Sequence, residues 1–289
     1  MTCVGDVTNK EQCSHFLKNA SNAILIHIAG VIHPKKVTEF YDVNVKGTQN
    51  ILTQAINNNI KRSVVISSNS PIGCNADHQS LFDETSPYNP YMNYGRSKML
   101  MEKNIKKMQT KSDVDIVIIR PPWFYGPGQP KRQTLFFSLI KQGRFPLVGT
   151  GTNQRSMVYI ENLCQGILLA ALIEKAKNNI YWIADQNPYQ MKDIITTIQD
   201  VLEQEFNLKV KRSIKKFPSM IADIAQYCDY FLQKLNLYHQ KIHVLSEMNK
   251  SIACSIEKAR TELNYNPTVS LRQGMRDSIQ YCMNQGISI

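Results

Sequence analysis

Tyr94 and Lys98 are the residues whose types and spacing best suit acid–base chemistry. They stand four residues apart at the start of a helical pattern, which places both on one helix face, one turn apart. A phenol has an unperturbed pKa of about 10, and a neighbouring ammonium favours its phenolate form. The pair therefore predicts a tyrosine that exchanges a proton near neutral pH. An ordinary pair on an exposed helix surface has the same spacing, and this alternative stays open.

A serine-rich turn precedes this pair in the chain. Residues 63–67 form an apolar β-type run, and Ser67, Ser68 and Ser70 lie at its end. A hydroxyl at this place can donate a hydrogen bond to a reacting oxygen, whereas serines after a strand more often only shape the turn. The turn and the Tyr94–Lys98 pair together predict a catalytic site.

The elements that must position these residues alternate between strand and helix patterns. Apolar runs of strand type lie at 23–28, 63–67 and 115–120, and helical patterns lie at 41–58 and 91–108. This alternation predicts an α/β fold with a parallel sheet that is buried on both faces. Loops rich in Gly, Pro and Asn follow the strands, and loops at the carboxyl ends of strands are where such sheets bind ligands.

Composition limits the class of protein. The 289 residues are 43% hydrophobic, and 34 Lys and Arg against 23 Asp and Glu give a formal charge of +11, which suits an anionic ligand, nucleic acid or membrane surface. No apolar run approaches the ~18 residues of a membrane span. The seven irregularly spaced cysteines indicate neither a disulfide framework nor a metal site. We expect a reduced, cytoplasmic protein without a bound metal.

Three features of the second half have ordinary structural explanations. The basic run at 209–216 predicts a solvated face, because no nucleic-acid motif accompanies it. Residues 217–237 carry apolar and aromatic side chains at helical spacing, which predicts a helix packed on this half, with contact to a membrane surface as the alternative. His239 and His243 are expected to be a surface pair rather than metal ligands.

Several short motifs follow one another in an order typical of one enzyme superfamily. They are Gly5-Asp6-Val7, the loop at 27–30, Asn44 in its helix, Ser67-Ser68, the pair at 94–98, and the segments 120–128, 155–162 and 263–267. Together they resemble the extended short-chain dehydrogenase/reductase superfamily, of the NAD-dependent epimerase/dehydratase and hydroxysteroid dehydrogenase type. The resemblance implies a Rossmann-like doubly wound sheet. It also implies a dinucleotide-binding domain at 1–125 and a smaller substrate-binding lobe at 126–289, interleaved with the end of the sheet.

The resemblance also implies roles for the matching residues. Tyr94 is the acid–base residue, Lys98 holds the nicotinamide ribose, and Ser68 positions the reacting oxygen, with Ser67 and Ser70 as second choices. The contacts implied for the cofactor, NAD or NADP, come from Asp6, Val7, Ala29, Gly30, Asn44, Tyr94, Lys98 and Pro121. Arg155 matches an arginine that nucleotide-sugar members direct at the diphosphate, which a guanidinium binds in bidentate fashion. A helix polar group satisfied locally remains the alternative for Asn44, and a solvated loop arginine the alternative for Arg155.

The glycine-rich turn with which this superfamily begins is not in the printed sequence. None of the thirteen glycines falls in the spacing Gly-x-x-Gly-x-x-Gly, which introduces the helix that holds the cofactor pyrophosphate. The resemblance therefore implies an N-terminally truncated fold without two βα units, about 60 residues. In the strand order 3-2-1-4-5-6 the two missing strands lie between the third and the fourth strand, so we expect the run at 23–28 to have an unpaired apolar edge.

Three functional hypotheses follow. The first is an NAD(P)-dependent nucleotide-sugar epimerase or dehydratase with a Ser-Tyr-Lys site. The second is a 3-beta-type hydroxysteroid dehydrogenase, which the apolar segment at 217–237 supports. The third is a non-catalytic binding or scaffold protein, because the glycine-rich motif is missing. The expected partners are a small-molecule substrate and a second copy in a homodimer; no nucleic acid is expected, and peripheral membrane contact is not favoured.

Overall fold

A four-stranded parallel sheet lies at the centre of the fold. The computed structural model describes residues 2–77, 79–111 and 114–289, with the backbone alone at 131–133. Its strands are β1 (Ile24–His27), β2 (Arg62–Ile66), β3 (Ile116–Arg120), β4 (Trp123–Tyr125), β5 (Pro146–Val148), β6 (Gln154–Arg155), β7 (Met157–Tyr159), β8 (Ile180–Trp182), β9 (Tyr189–Gln190) and β10 (Lys215–Phe217). The central sheet has the order β1-β2-β3-β8, and all of its pairs are parallel.

Helices cover both faces of this sheet. They are α1 (Lys10–Leu17), α2 (Thr48–Asn57), α3 (Met92–Lys111), α4 (Lys131–Lys141), α5 (Ile160–Leu172), α6 (Met191–Asp200), α7 (Met220–Lys234), α8 (Gln240–Glu247), α9 (Glu257–Leu263) and α10 (Leu271–Asn284). Val64 of β2 clusters with Leu163 of α5, whereas the next residue, Val65, clusters with Leu52 of α2 and Met101 of α3. Successive side chains of a strand point to opposite faces, so the sheet is buried on both sides. The predicted Rossmann-like α/β fold is confirmed.

The strand β1 lies at an edge of the described sheet, as expected. On its other side it pairs in parallel with β2, from Ile24 opposite Arg62 to His27 opposite Val65. Ile24 and Ile26 remain partly exposed, which agrees with the predicted apolar edge.

The second half of the chain returns to the central sheet and also builds small sheets of its own. β8 completes the central sheet, while the pairs β4–β7, β5–β10 and β6–β9 lie outside it. Buried Asp185 joins these parts, because its carboxylate accepts hydrogen bonds from the Tyr125 hydroxyl (2.9 Å), the Tyr159 amide (2.9 Å) and the Asn162 side chain (2.8 Å). The division of the chain near residue 125 stays a prediction.

α7 and α8 pack against each other as a helical hairpin beside the start of α3. The segment predicted as a helix at 217–237 therefore contains α7, which is somewhat shorter. Among the helices of residues 2–77, 79–111 and 114–289, none has the length and apolarity needed to cross a membrane.

Candidate active site

The predicted site residues gather where three neighbouring strands end. Ala29 and Gly30 follow β1, Ser68 follows β2, and Pro121 follows β3 directly. Because these strands are parallel, their carboxyl ends meet at one edge of the sheet. The polar loops predicted from the sequence thus lie side by side.

Lys98 connects α3 to this edge of the sheet. Its side chain is buried, and its Nζ donates a hydrogen bond to the carbonyl oxygen of Ile66 at 3.0 Å. Burial lowers the pKa of Lys98 to about 8, against the opposing effect of the negative charge of Glu102. Tyr94 lies one turn earlier on α3, and its ring packs 5.6 Å from that of Phe40. The pair is therefore held at the sheet edge rather than on an exposed helix surface.

The three serines of the turn differ in how firmly their hydroxyls are bound. The Ser67 Oγ donates to Glu102 Oε1 at 2.5 Å, so this hydroxyl is fully engaged. The contacts of the Ser68 Oγ are long: 3.4 Å to Asn69 Oδ1, 3.3 Å to Ser70 Oγ, and 3.3 Å from the Ser70 amide, whose hydrogen bond it accepts. A weakly held hydroxyl can turn to a ligand at small cost, which makes Ser68 a better candidate than Ser67.

Asn44 joins the loop after β1 to α3. Its Oδ1 accepts from the Val31 amide at 2.9 Å, while its Nδ2 donates to the Val31 carbonyl at 3.0 Å and to Ser97 Oγ at 3.2 Å. These bonds satisfy the buried amide locally, so the structure gives Asn44 a positioning role. The residue lies within a π-helical segment, Phe40–Gly47, a helix type frequent at functional sites.

The Asp6-Val7 segment packs beside the C-terminal end of the same π-helical segment. A Cβ on Gly47 would come within 2.7 Å of Val7 Cγ2, and the Asn50 side chain donates to the Val7 carbonyl at 3.0 Å. Asp6 is exposed. Its carboxylate accepts a hydrogen bond from the Thr8 amide, and this bond holds the pKa of Asp6 below its usual range. The Gly30 loop contacts Asn44, and the Asp6-Val7 segment contacts Gly47. Because Asn44 and Gly47 are three residues apart, the two segments pack against neighbouring turns of the π-helical segment.

Arg155 lies in the second half of the chain. One nitrogen of its guanidinium donates to the backbone carbonyl of Glu247. Burial raises the pKa of the Cys74 thiol to about 12, and the nearby positive charge of Arg155 acts against this rise. Cys74 lies in the connection between β2 and α3, so Arg155 is close to that connection.

Sequence reasoning missed a buried network around Glu102. Arg120 binds its carboxylate through Nε at 3.1 Å and Nη2 at 2.6 Å, and the Tyr88 hydroxyl donates to it at 2.9 Å. The Arg120 guanidinium also lies over the Trp182 ring, 5.7 Å from its centroid. One signal was available, because Glu102 stands four residues beyond Lys98 and so shares its helix face.

Two histidines were also missed or misjudged. His27 is buried at the end of β1 against Thr48 Oγ1 (2.9 Å), and burial, with the charge of Lys98, lowers the pKa of His27 to about 4. The expectation that His239 and His243 form a surface pair is wrong, because His243 is buried and its Nδ1 lies 2.7 Å from Asp229. This contact is part of the packing between α7 and α8.

The resemblance places the loop of Ala29 and Gly30 under the cofactor. A Cβ on Gly30 would lie 3.2 Å from Asn44 Oδ1 and 3.5 Å from Lys98 Nζ. Gly30 therefore leaves a cradle beside a buried ammonium, at the edge of the sheet where such folds bind ligands. Gly30, Lys98 and Ser68 are the residues that would line it.

Comparisons with known proteins identify the family of this chain. The model of the family described as "NAD dependent epimerase/dehydratase family" matches residues 2–184. An uncharacterized protein of Sinorhizobium fredii, y4nL, is 48% identical over 98% of this chain and 80% of that protein. N-acetyl-alpha-D-glucosaminyl-diphospho-ditrans,octacis-undecaprenol 4-epimerase of Escherichia coli O157:H7 is 26% identical over 97% of this chain and 83% of that protein.

Two further similarities extend the comparison. The isoform 1 of 3beta-hydroxysteroid-dehydrogenase/decarboxylase of Arabidopsis thaliana is 27% identical over 83% of this chain and 57% of that protein. The crystal structure of UDP-glucuronic acid 4-epimerase from Bacillus cereus in complex with NAD superposes with a TM-score of 0.75 at 22% identity, covering 98% of this chain and 80% of that one. The expected cofactor, NAD or NADP, agrees with the family description.

Proposed function

The chain belongs to the NAD-dependent epimerase/dehydratase family, and from this we propose that it catalyses oxidoreduction at a hydroxyl-bearing carbon of a sugar joined to a diphosphate. The observation that carries the proposal is the placement of Lys98. Its buried ammonium is bonded to the end of β2, lies beside the Gly30 cradle and stands one turn from Tyr94. Proton transfer and cofactor binding thus share one charged group.

Each residue of the proposed site has a defined role. Tyr94 Oη exchanges a proton with the substrate hydroxyl, and Ser68 Oγ donates a hydrogen bond to the same oxygen. The Lys98 ammonium stabilises the phenolate and binds the ribose hydroxyls of the cofactor. NAD or NADP, when bound, supplies a hydride acceptor. Epimerisation and dehydration return the hydride within one turnover, whereas simple oxidation does not.

The diphosphate is the feature of the substrate that Arg155 would recognise. One nitrogen of Arg155 is bonded to Glu247, which fixes the orientation of the planar group beside the loop after β2. The relative from Escherichia coli is named as acting on a sugar attached through a diphosphate to undecaprenol. A nucleoside diphosphate offers the same phosphate chemistry, so both kinds of sugar donor belong in the test.

The first experiment tests cofactor binding and the acid–base residue together. We expect NADH or NADPH to bind saturably to the 289-residue chain and to raise its melting temperature. Tyr94→Phe should retain this binding and lose turnover at least about a hundredfold, because it removes the transferred proton. Tyr281→Phe, on α10, is the matched control and should be as active as the wild type. Absence of nucleotide binding would instead support a binding or scaffold protein.

The second experiment distinguishes the substrate classes. Turnover is measured with UDP-sugars, with polyprenyl-diphosphate sugars and with 3β-hydroxysteroids. Arg155→Ala should weaken binding of the diphosphate sugars, while Arg144→Ala, an exposed arginine of the same half, should not. Turnover of sterols alone would overturn the sugar proposal in favour of the hydroxysteroid alternative, which the relative from Arabidopsis thaliana supports.

A further inference from the structure

An exposed apolar stripe runs along α7. It consists of Met220, Ile224, Tyr227, Phe231 and Leu235, whose side chains are 57% to 71% exposed. These residues recur every three or four positions, so they share one face of the helix. We call this face the α7 stripe. A monomeric protein rarely exposes so many large apolar side chains next to one another without a partner for them.

The opposite face of α7 is firmly packed. Ala222, Ala225 and Asp229 are buried, and the Asp229 carboxylate binds His243 of α8. The Gln233 Oε1 accepts hydrogen bonds from the backbone amide of Asn93 at 3.1 Å and from its side chain at 2.9 Å. The helix is therefore fixed to the body of the protein, and the α7 stripe is the face that points away from it.

Exposed lysines lie directly before α7 and at its C-terminal end. Lys215 and Lys216 are exposed on β10, and the Lys234 ammonium lies 4.6 Å from the centroid of the Tyr230 ring. The exposed acid of the helix, Asp223, is paired with Lys250 at 3.5 Å. Residues 209–241 contain seven Lys and Arg but only two Asp, and of these seven Arg212 is paired with Asp200 and Glu203. The apolar stripe is thus flanked in the chain by exposed lysines.

We propose that the α7 stripe docks this protein on the surface of an anionic phospholipid bilayer. A helix with one apolar face and basic neighbours binds in the plane of the interface, with its apolar side chains below the headgroups and its lysines at the phosphates. Two copies joined through the same stripe would bring like charges together at Lys215 and Lys216, which disfavours a second copy as the occupant.

Docking would place the candidate active site close to the lipid. Gln233, on the inward side of α7, binds Asn93, the residue before Tyr94. The stripe on the outward side is therefore separated from this part of α3 by about one helix diameter, roughly 10 Å. The proposal concerns attachment to the membrane and does not depend on the reaction that the site performs.

Vesicle sedimentation of the full chain tests the proposal. We expect binding to vesicles of phosphatidylglycerol and phosphatidylcholine, and weaker binding to phosphatidylcholine alone. The double variant Ile224→Ser/Phe231→Ser should bind at least about tenfold more weakly, because it removes buried apolar area. Lys215→Ala/Lys216→Ala should bind the anionic vesicles about thirty-fold more weakly. Leu168→Ser/Leu172→Ser removes two exposed leucines of α5 and should bind like the wild type.

Circular dichroism and melting temperature verify that all variants fold. The proposal is wrong if the wild type does not bind vesicles, or if the α7 double variant binds as well as the wild type. Light scattering gives a further outcome that would overturn it. If the wild type is a dimer without vesicle affinity and Ile224→Ser/Phe231→Ser is a monomer, the stripe is an interface between two copies of the chain.

Discussion

Glu102 of α3 and Arg120 at the end of β3 form a fully buried ion pair, with Oε2 and Nη2 2.6 Å apart. The same carboxylate accepts hydrogen bonds from Ser67 and Tyr88. Because Glu102 is one turn beyond Lys98, this pair fixes the helix that carries the acid–base residues to the strands that carry the loops. The geometry of the candidate site therefore depends on a contact outside it.

Glu102→Gln should destabilise the protein strongly. The substitution leaves the Arg120 guanidinium buried without its counter-charge, which costs about 3–5 kcal/mol. Urea denaturation measures the loss in the free energy of unfolding. Asp42→Asn breaks the exposed pair with Lys46 and should cost less than about 0.5 kcal/mol. If the two variants lose equal stability, the buried pair does not have the assigned role.

The pKa of Lys98 predicts opposite effects of pH on folding and on cofactor binding. Below about 8 the folded protein holds a buried ammonium, and the cost of burying it disappears as pH rises toward the unfolded value of about 10.4. Stability relative to Lys98→Met should therefore rise with pH across this window. Affinity for NADH should fall over the same window, because the ribose contact needs the charged form.

Denaturation and NADH titration at pH 7, 8, 9 and 10 measure both quantities. Lys46→Met removes an exposed lysine and is the control, with no change expected in the pH dependence of either. A wild-type NADH affinity that stays constant from pH 7 to 10 would contradict the role of the Lys98 ammonium.

The sequence predicted those features of the fold that depend on residues close to one another in the chain. The strands β2 and β3 are nearly continuous apolar runs, so local pattern was enough to find them and the loops that follow. The Tyr94–Lys98 pair could be recognised because both residues lie on one helix. The position of β1 at the edge of the sheet followed from the resemblance and not from local pattern, because pairing joins strands that are distant in the chain.

The buried polar residues show why other features of the site and its surroundings could not be predicted from the sequence. Arg120 and Glu102 are eighteen positions apart, and neither sequence context indicates that its charge is buried. His243 was expected on the surface because no metal-binding pattern accompanies it and His239, but the partner that buries it, Asp229, comes from another helix. Burial of a charged side chain is set by partners that are distant in sequence, so periodicity does not reveal it.

The lowered pKa of His27 predicts that the protein loses stability in mild acid. Its folded-state pKa of about 4 lies below the ordinary histidine value of 6.5, so between these values the unfolded chain binds a proton that the folded chain does not bind. The resulting penalty is absent above pH 6.5 and grows as pH falls toward 4. His27→Gln should reduce this loss between pH 7 and 5 in urea denaturation, whereas His15→Gln, at an exposed position of α1, should leave it unchanged. Equal pH profiles for His27→Gln and the wild type would exclude the effect.

Gly30→Ala should separate cofactor binding from folding. The added methyl group would lie 3.5 Å from Lys98 Nζ and 3.2 Å from Asn44 Oδ1, so it fills the cradle while requiring only a small shift of Asn44. The melting temperature should stay within a few degrees of the wild type, partly because alanine restricts the unfolded chain. Affinity for NADH, measured by fluorescence titration, should fall at least about tenfold, because the methyl group occupies space that the ribose needs. Wild-type affinity in a folded Gly30→Ala protein would show that the cofactor does not enter this cradle.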